Sequence, residues 1–123
     1  TRALRRDKLV KLLENFEPRR YQFGNNQFLL DRRGMKHLMD RHHPDYWNGT
    51  VKGTQTFYDR NMSIDQVADI VSQTLTQNRV YLSGLKNSTS IKQIDGFIDG
   101  VQYKLGLNNG RVGQLYKVEQ PND

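Results

Sequence analysis

The sequence predicts a single α+β domain in which helices come first and strands follow. Apolar residues recur at helical spacing in three stretches before residue 77, whereas apolar and polar residues alternate near the C-terminus. Dipeptides typical of tight turns separate the alternating stretches, as in antiparallel hairpins. Helices followed by strands indicate the α+β class, and a length of 123 residues fits one domain spanning 1–123.

Each predicted helix carries a recognisable end signal. Pro18 ends the first helix, and Pro44 disfavours helical backbone at the residue before it. Ser63 and Gln66 have the spacing of a capping box, which starts the third helix. The three helices are expected at about 2–16, 33–41 and 63–76.

The predicted strands are bounded by turn signals. Gly24 lies in one such turn, and Asp99-Gly100 and Asn109-Gly110 form two more. From residue 79 onward the alternation has a period of two, which indicates an antiparallel meander. The expected strands fall within 21–30, 53–58, 91–98, 101–107 and 111–118.

The basic charge of the chain is concentrated in its first third. Net charge is +6; residues 1–41 contain 11 Lys and Arg against 5 Asp and Glu, whereas residues 42–123 contain 8 of each. A one-sided basic region attracts polyanions such as nucleic acids, although a basic helix that only improves solubility has the same composition. The absence of cysteine excludes disulfides and thiolate zinc sites, and no apolar run is long enough to predict a membrane-spanning segment.

All three histidines, His37, His42 and His43, fall in one seven-residue window. Imidazole is the side chain whose ordinary pKa lies nearest neutrality, so this window is where proton transfer is expected. Pro44 should place His37 on a helix and His43 just beyond its end, which lets the two side chains face each other.

These residue types fit cleavage of RNA by its own 2′-hydroxyl. That reaction needs a base, an acid and a cation that stabilises the charged transition state, and it leaves a 2′,3′-cyclic phosphate. His37, one of the His42/His43 pair, and Lys52 match those tasks. On the last strand, Gln114 and Tyr116 share a face with Val112 and Val118 and are expected to point together into a cleft.

Three other functions remain open from the residues alone. His37 with His42 or His43, plus Asp40 or Asp45, are metal-ligand types, but their spacing fits no zinc signature, so we expect no metal and no cofactor. A non-catalytic nucleic-acid-binding module would use the same basic region and exposed aromatic residues. A protein-interaction domain would use neither the basic region nor the exposed aromatic residues to bind nucleic acid.

The order of these motifs resembles that of bacterial EndoU-type ribonuclease toxin domains. That family carries a histidine on a helix, a second histidine, a lysine followed by Ser or Thr, and a closing Ser/Thr-x-Tyr strand. The resemblance covers residues 35–118, and Gln114 stands where the family has the hydroxyl residue. The matching positions are His37, His43 with His42 as the alternative, Lys52, Thr56 and Gln114-Leu115-Tyr116.

The resemblance implies a fold and a set of residue roles. A basic helical subdomain at 1–34 would precede a catalytic core at 35–118, in which two antiparallel sheets flank a cleft. His37 and His43 would share the acid and base roles in a metal-independent endoribonuclease, Lys52 would stabilise charge, and Tyr116 would complete the catalytic set. The substrate-binding residues would be Thr56, Gln114 and His42.

The resemblance also implies a biological setting. Such domains are the C-terminal toxins of secreted or cell-surface bacterial proteins, including effectors of contact-dependent growth inhibition. The expected target is RNA, with transfer RNA foremost, in the cytoplasm of a competing bacterium. A cognate immunity protein would block the toxin, and the +6 charge leads us to expect that this partner is acidic.

Overall fold

The computed structural model describes residues 1–119 and confirms the α+β class. Within this range no helix is both long and apolar enough to cross a bilayer. The helices are α1 (Arg2–Leu13), α2 (Arg32–His42), α3 (Ile64–Gln77) and α4 (Arg79–Ser83). The strands are β1 (Arg19–Phe23), β2 (Asn26–Leu30), β3 (Lys92–Ile98), β4 (Val101–Asn108) and β5 (Arg111–Lys117).

The strands form one mixed five-stranded sheet in the order β1-β2-β5-β4-β3. The neighbouring pairs are antiparallel except β2 and β5, which run parallel and meet at Leu29 and Arg111. The backbone N–H of Leu29 donates to the carbonyl of Gly110 at 2.8 Å. The implied pair of antiparallel sheets is therefore wrong for residues 1–119, because this parallel contact joins the N-terminal hairpin to the C-terminal meander.

The predicted turns are confirmed as two-residue hairpin loops. Gly24 has φ of 62°, and the turns at Asp99-Gly100 and Asn109-Gly110 have φ of 51° and 77°, and of 54° and 75°. At the turns Asp99-Gly100 and Asn109-Gly110, positive φ at both central positions matches the right-handed twist of adjacent strands, and Asn, Asp and Gly adopt it at low cost. These local signals thus set the register of the meander.

The ends of α2 and α3 are also confirmed. α2 ends at His42, and His43 has extended backbone (φ −97°, ψ 129°), as expected for a residue before proline. Both hydrogen bonds of the Ser63–Gln66 capping box are present at the start of α3. α1 ends at Leu13, three residues earlier than predicted, and Phe16 then closes a turn by donating to the Leu13 carbonyl.

Two local expectations are wrong because distant contacts override the local pattern. Residues 53–58 form no strand; Tyr58 donates its N–H to the His42 carbonyl and its hydroxyl to the Leu115 carbonyl instead of joining a ladder. Residues 79–83 form α4 rather than extended chain, with Leu82 fully buried. The Asn26 amide donates to the Leu82 carbonyl at 2.9 Å and holds this helix against the sheet.

The packing of α2 against β5 positions the candidate site residues. β2 and β5 pair only at one register position, and beyond it α2 packs along β5. At Gly34 an added Cβ would lie 2.5 Å from the Val112 carbonyl oxygen, so glycine permits this close approach. The C-terminal half of α2 consequently lies beside β5, with Leu38 fully buried beneath it.

Candidate active site

A cleft of about 510 Å³ lies between α2, the segment 52–55 and the strands β3 and β5. In the part of the chain that the structure describes, no Asp or Glu lines it, so its electrostatic character is set by cations and imidazoles. The lining residues are His37, Leu38, Arg41, His42, Lys52, Thr54, Gln55, Gln93, Gln114 and Tyr116. The structure therefore brings together five of the seven residues predicted for the site.

His42 is held in one tautomer by a backbone contact. Its Nδ1 lies 3.0 Å from the carbonyl oxygen of Thr56, and because a carbonyl only accepts, Nδ1 must carry the proton. The Gln55 amide lies 3.4 Å from the same nitrogen and donates instead to the Arg41 carbonyl at 2.8 Å. Nε2 of neutral His42 thus keeps its lone pair and has no hydrogen-bond partner among residues 1–119.

Aromatic neighbours fix the plane of the His42 ring. Tyr116 stacks on it with ring centroids 5.8 Å apart and planes at 27°, and Tyr58 packs at 5.9 Å and 46°. Tyr58 is itself anchored by its hydrogen bond to the Leu115 carbonyl on β5. The imidazole is therefore oriented before any ligand arrives, which is what a proton-transfer group requires.

His37 is an exposed residue on α2 and lies among charged groups. Partial burial lowers its pKa; the Asp40 carboxylate opposes this shift, and the nearby cations Arg41, Lys36 and Lys52 add to it. Burial also lowers the pKa of His42, partly offset by its hydrogen bond to Thr56. Both imidazoles are thus predominantly neutral at pH 7, and proton transfer at them is easiest on the acid side of neutrality.

His43, which was predicted to be the second catalytic histidine, does not line the cleft. It is only 2% exposed; its Nε2–H donates to the Met62 carbonyl at 2.9 Å, and its Nδ1 accepts the Asp45 backbone N–H at 3.1 Å. Both ring nitrogens are therefore occupied by backbone groups. Of the two histidines that the sequence left open, His42 is the one that lines the cleft, because it ends α2 on the side of β5.

Thr56, which was predicted to bind substrate, does not line the cleft either. Its hydroxyl donates to the Lys117 carbonyl at 2.7 Å, so it ties the 52–58 segment to β5 rather than lining the cleft. Thr54 lines the cleft instead, close to Lys52, which is exposed there as predicted. Regular alternation would place these two threonines on the same side, but the segment is irregular and its contact with Lys117 turns Thr56 away from the cleft.

A β-bulge in β5 separates the direction of Val112 from the common direction of Gln114 and Tyr116. Gly106 pairs with Gln114 but the next residue, Leu107, pairs with Val112, so Gly113 is the extra residue. The predicted pairing of Gln114 with Tyr116 is confirmed, since both line the cleft. Val112 is buried on the opposite side, contrary to the uninterrupted alternation, because the bulge reverses the faces.

Gly106 makes room for Gln114 in the cleft. A Cβ added at Gly106 would lie 2.8 Å from Gln114 Oε1 and 3.0 Å from Gln114 Cβ. The amide of Gln114 therefore lies over the backbone of β4. Gln93 on β3 pairs with Gly106 from the other side, so two amide side chains flank this glycine.

Five cleft residues were not predicted from the sequence: Leu38, Thr54, Arg41, Gln55 and Gln93. Arg41 stands four residues after His37 on α2, and this helical spacing would have placed the two on one face. Nothing in the sequence indicates that Gln55 or Gln93 reaches the cleft. Gln55 lies in an irregular segment, and Gln93 is brought to the cleft by the pairing of β3 with β4. The guanidinium and amides add hydrogen-bond donors to a site that already contains Lys52.

Within residues 1–119, the side chains considered for an alternative metal site do not come together. Across residues 1–119 no group of three His, Cys, Asp or Glu side chains is close enough to hold a metal ion. Asp45 lies 3.6 Å from Arg60, and Asp40 lies 3.7 Å from Lys36, so each carboxylate contacts a cation.

No protein-family model, curated protein or solved structure matches this chain. The arrangement of side chains in the cleft is consequently the basis for assigning a function.

Proposed function

We propose that this domain is a metal-independent endoribonuclease that uses the 2′-hydroxyl of RNA as the nucleophile. The observation that carries the proposal is the convergence of His37, His42 and Lys52 in one cleft where no described residue is acidic. Two imidazoles with lowered pKa values suit general acid–base catalysis, and cations suit a transition state with extra charge on phosphorus.

The proposed roles follow from the contacts of each side chain. His42, oriented by Thr56 and stacked on Tyr116, offers Nε2 to a proton. His37 supplies the second proton-transfer group, so one histidine takes the 2′-hydroxyl proton and the other protonates the leaving 5′-oxygen. The attack forms the 2′-oxygen–phosphorus bond and breaks the bond to the 5′-oxygen, which leaves a 2′,3′-cyclic phosphate.

The cations and the remaining lining residues complete the proposal. Lys52 and Arg41 neutralise the non-bridging oxygens in the transition state. Gln114 and Gln93 offer amides to a base edge, and the ring of Tyr116 offers a stacking surface. The EndoU-like fold and this family's toxin activity stay predictions from the sequence resemblance.

The test is cleavage of RNA with analysis of the product ends. Wild-type protein should cut single-stranded RNA in the presence of EDTA and leave 2′,3′-cyclic phosphate ends, and it should leave DNA of the same sequence intact. An RNA with a single 2′-deoxy position at the mapped site should resist cleavage there. Activity that EDTA removes and added zinc or magnesium restores would contradict the proposal, as would binding without fragments.

The proposed setting can be tested separately in cells. If the domain is a toxin that acts on RNA in the bacterial cytoplasm, with transfer RNA foremost, its induction should stop growth and fragment that RNA. Mapping of the RNA ends would identify the target. An acidic immunity protein should bind the domain and prevent both effects; unaffected growth with intact RNA would contradict the toxin role.

A further inference from the structure

A second depression, of about 450 Å³, adjoins the cleft at His37, which lines both. It lies between the N-terminal half of α2 and the start of β5, on the side of His37 away from Tyr116. We call it the flanking depression. Its polar lining consists of Asp31, Arg33, Lys36, His37, Asp40, Asn108 and Arg111.

The charges of the flanking depression leave one arginine available. Arg111 lies 3.6 Å from Asp31, and Lys36 lies 3.7 Å from Asp40, so both acidic residues already face a cation. Arg33 forms no ion pair within residues 1–119. Three cations against two carboxylates make the depression a net positive site, and both ion pairs are long enough for an anion to compete with them.

The backbone of α2 adds little to this site. The Asp31 side chain accepts the Gly34 N–H at 2.7 Å, which satisfies a donor that would otherwise face the depression. Recognition of an anion here would come from the side chains of Arg33, Lys36 and Arg111, together with the amide of Asn108. Arginine binds phosphate through two parallel N–H groups, which makes Arg33 the principal anchor.

The basic surface continues in the same direction. Arg111 also lines a third depression, of about 410 Å³, which contains Arg20 from β1 and Gln27 from β2. The cleft, the flanking depression and this third depression therefore adjoin through His37 and Arg111. A strand of nucleic acid that leaves the cleft on this side would meet the cations of the flanking depression and then Arg20.

We propose that the flanking depression is a subsite for the backbone phosphate next to the one that is cleaved. This inference rests on the proposed ribonuclease function and extends it, because it makes the enzyme prefer substrates longer than a dinucleotide. A dinucleotide contains only the phosphate that occupies the cleft. A tetranucleotide can place a second phosphate against Arg33.

The test compares Arg33→Gln with the control Arg79→Gln. Arg79 is an exposed arginine of α4, away from the depressions that adjoin the cleft. Binding of 2′-O-methyl di- and tetranucleotides, which resist cleavage, is measured by fluorescence anisotropy at several salt concentrations. Arg33→Gln should weaken tetranucleotide binding about tenfold, leave dinucleotide binding unchanged and reduce the salt slope by about 0.7.

The possible outcomes distinguish a failure of the subsite from a failure of the proposed ribonuclease function. If wild-type protein cleaves RNA while Arg33→Gln affects both lengths equally, or no more than Arg79→Gln, the subsite is refuted and the ribonuclease stands. If wild-type protein binds tetranucleotides with the predicted Arg33 dependence but never cleaves RNA, the ribonuclease is refuted and the phosphate site stands. Binding of neither length by wild-type protein refutes the subsite, and cleavage of RNA alone then decides the ribonuclease function.

Discussion

At the scale of single residues, two adjacent histidines have opposite surroundings. Nε2 of His42 has no hydrogen-bond partner within residues 1–119, whereas both ring nitrogens of buried His43 are bonded to backbone groups. A buried polar side chain with satisfied partners contributes to stability, and its loss leaves those partners unpaired. The pair therefore allows catalysis and folding to be tested independently at neighbouring positions.

His42→Ala should lower RNA cleavage by about 10²–10⁴-fold, the usual contribution of one acid–base group, with little change in melting temperature. His43→Ala should instead lower the free energy of unfolding by about 1–3 kcal/mol and retain activity per folded molecule. Thermal melts and initial rates on the same preparations check both. Equal losses of activity in both folded variants would contradict the assignment of His42.

Asp40 is placed to tune His37. Its carboxylate is partly buried, has an Oδ1 without a hydrogen-bond partner within residues 1–119, and raises the pKa of His37 against the effect of burial. Asp40→Asn should therefore lower the pKa of His37 further, which an NMR titration of the imidazole would show. Asp45→Asn is the control, because Asp45 contacts Arg60 instead; an equal shift there would contradict the prediction.

The pH dependence of cleavage follows from the lowered pKa values of His37 and His42. The base must be neutral and the acid protonated, so kcat/KM should show a bell shape. Because burial lowers both pKa values, the maximum should lie below the ordinary imidazole value of about 6.5. Rates measured from pH 4 to pH 9 check this, and a maximum above pH 8 would exclude two histidines as the titrating pair.

At the scale of secondary-structure elements, the bulged strand β5 and its neighbour β4 shape the floor of the cleft. The extra residue Gly113 lets Gln114 and Tyr116 face the cleft while Val112 and Leu115 face the core. Gly106 on β4 supplies the space for the Gln114 side chain. The two glycines differ sharply in their surroundings, since a Cβ at Gly113 would meet nothing within 4 Å.

Gly106→Ala should push the Gln114 side chain out of the cleft and reduce kcat/KM by about threefold to tenfold, the value of one hydrogen bond. Gly113→Ala is the matched control and should have little effect on activity. Initial rates with RNA substrates of different base composition check the effect. Unchanged rates and base preference in Gly106→Ala would argue against a role for Gln114 in substrate binding.

The edge strand β3 is covered by the end of α3. The Gln77 side chain donates to the Phe97 carbonyl and accepts its N–H, both at 2.9 Å. Asn78 donates to the Asp95 carbonyl at 2.8 Å, two residues earlier on the same strand. These amides occupy backbone groups that would otherwise be available to a second chain, which is one way that proteins protect sheet edges.

At the scale of the whole molecule, the first third of the chain is part of the common core. Leu9 and Leu13 of α1 and Leu30 of β2 are buried in one cluster with Leu38 of α2 and Leu115 of β5. The basic residues of this region lie on more than one surface of the molecule. Arg33, Lys36 and Arg41 of α2 line the cleft or the flanking depression, whereas Arg32 donates to the Glu14 carbonyl, so only part of the charge excess bears on the proposed RNA path.

Leu13→Ala should therefore destabilise the entire domain by about 2–5 kcal/mol, as for other buried leucines. Leu13 is 1% exposed and its neighbour Leu12 is 46% exposed, so Leu12→Ala is a matched control with a much smaller expected cost. Urea denaturation followed by circular dichroism checks both. A small effect of Leu13→Ala would indicate that α1 is an appendage to the core.

The sequence by itself determined the features that depend on local chemistry. The α+β class, the capping box at Ser63, the hairpin turns at Asp99-Gly100 and Asn109-Gly110, and the end of α2 before Pro44 all follow from neighbouring residues. Such signals act through backbone sterics and short-range hydrogen bonds, which is why they can be read without a fold. The clustering of the three histidines is likewise visible in the sequence alone.

Only the tertiary structure decided which of those residues meet. The choice of His42 over His43, and the parallel contact at Leu29, depend on groups distant in the chain. The single extra residue Gly113 reverses the faces of β5, and the local alternation contains no sign of it. Partners separated by many residues are selected by how the whole core packs, so the composition of the cleft emerges only when the chain is folded.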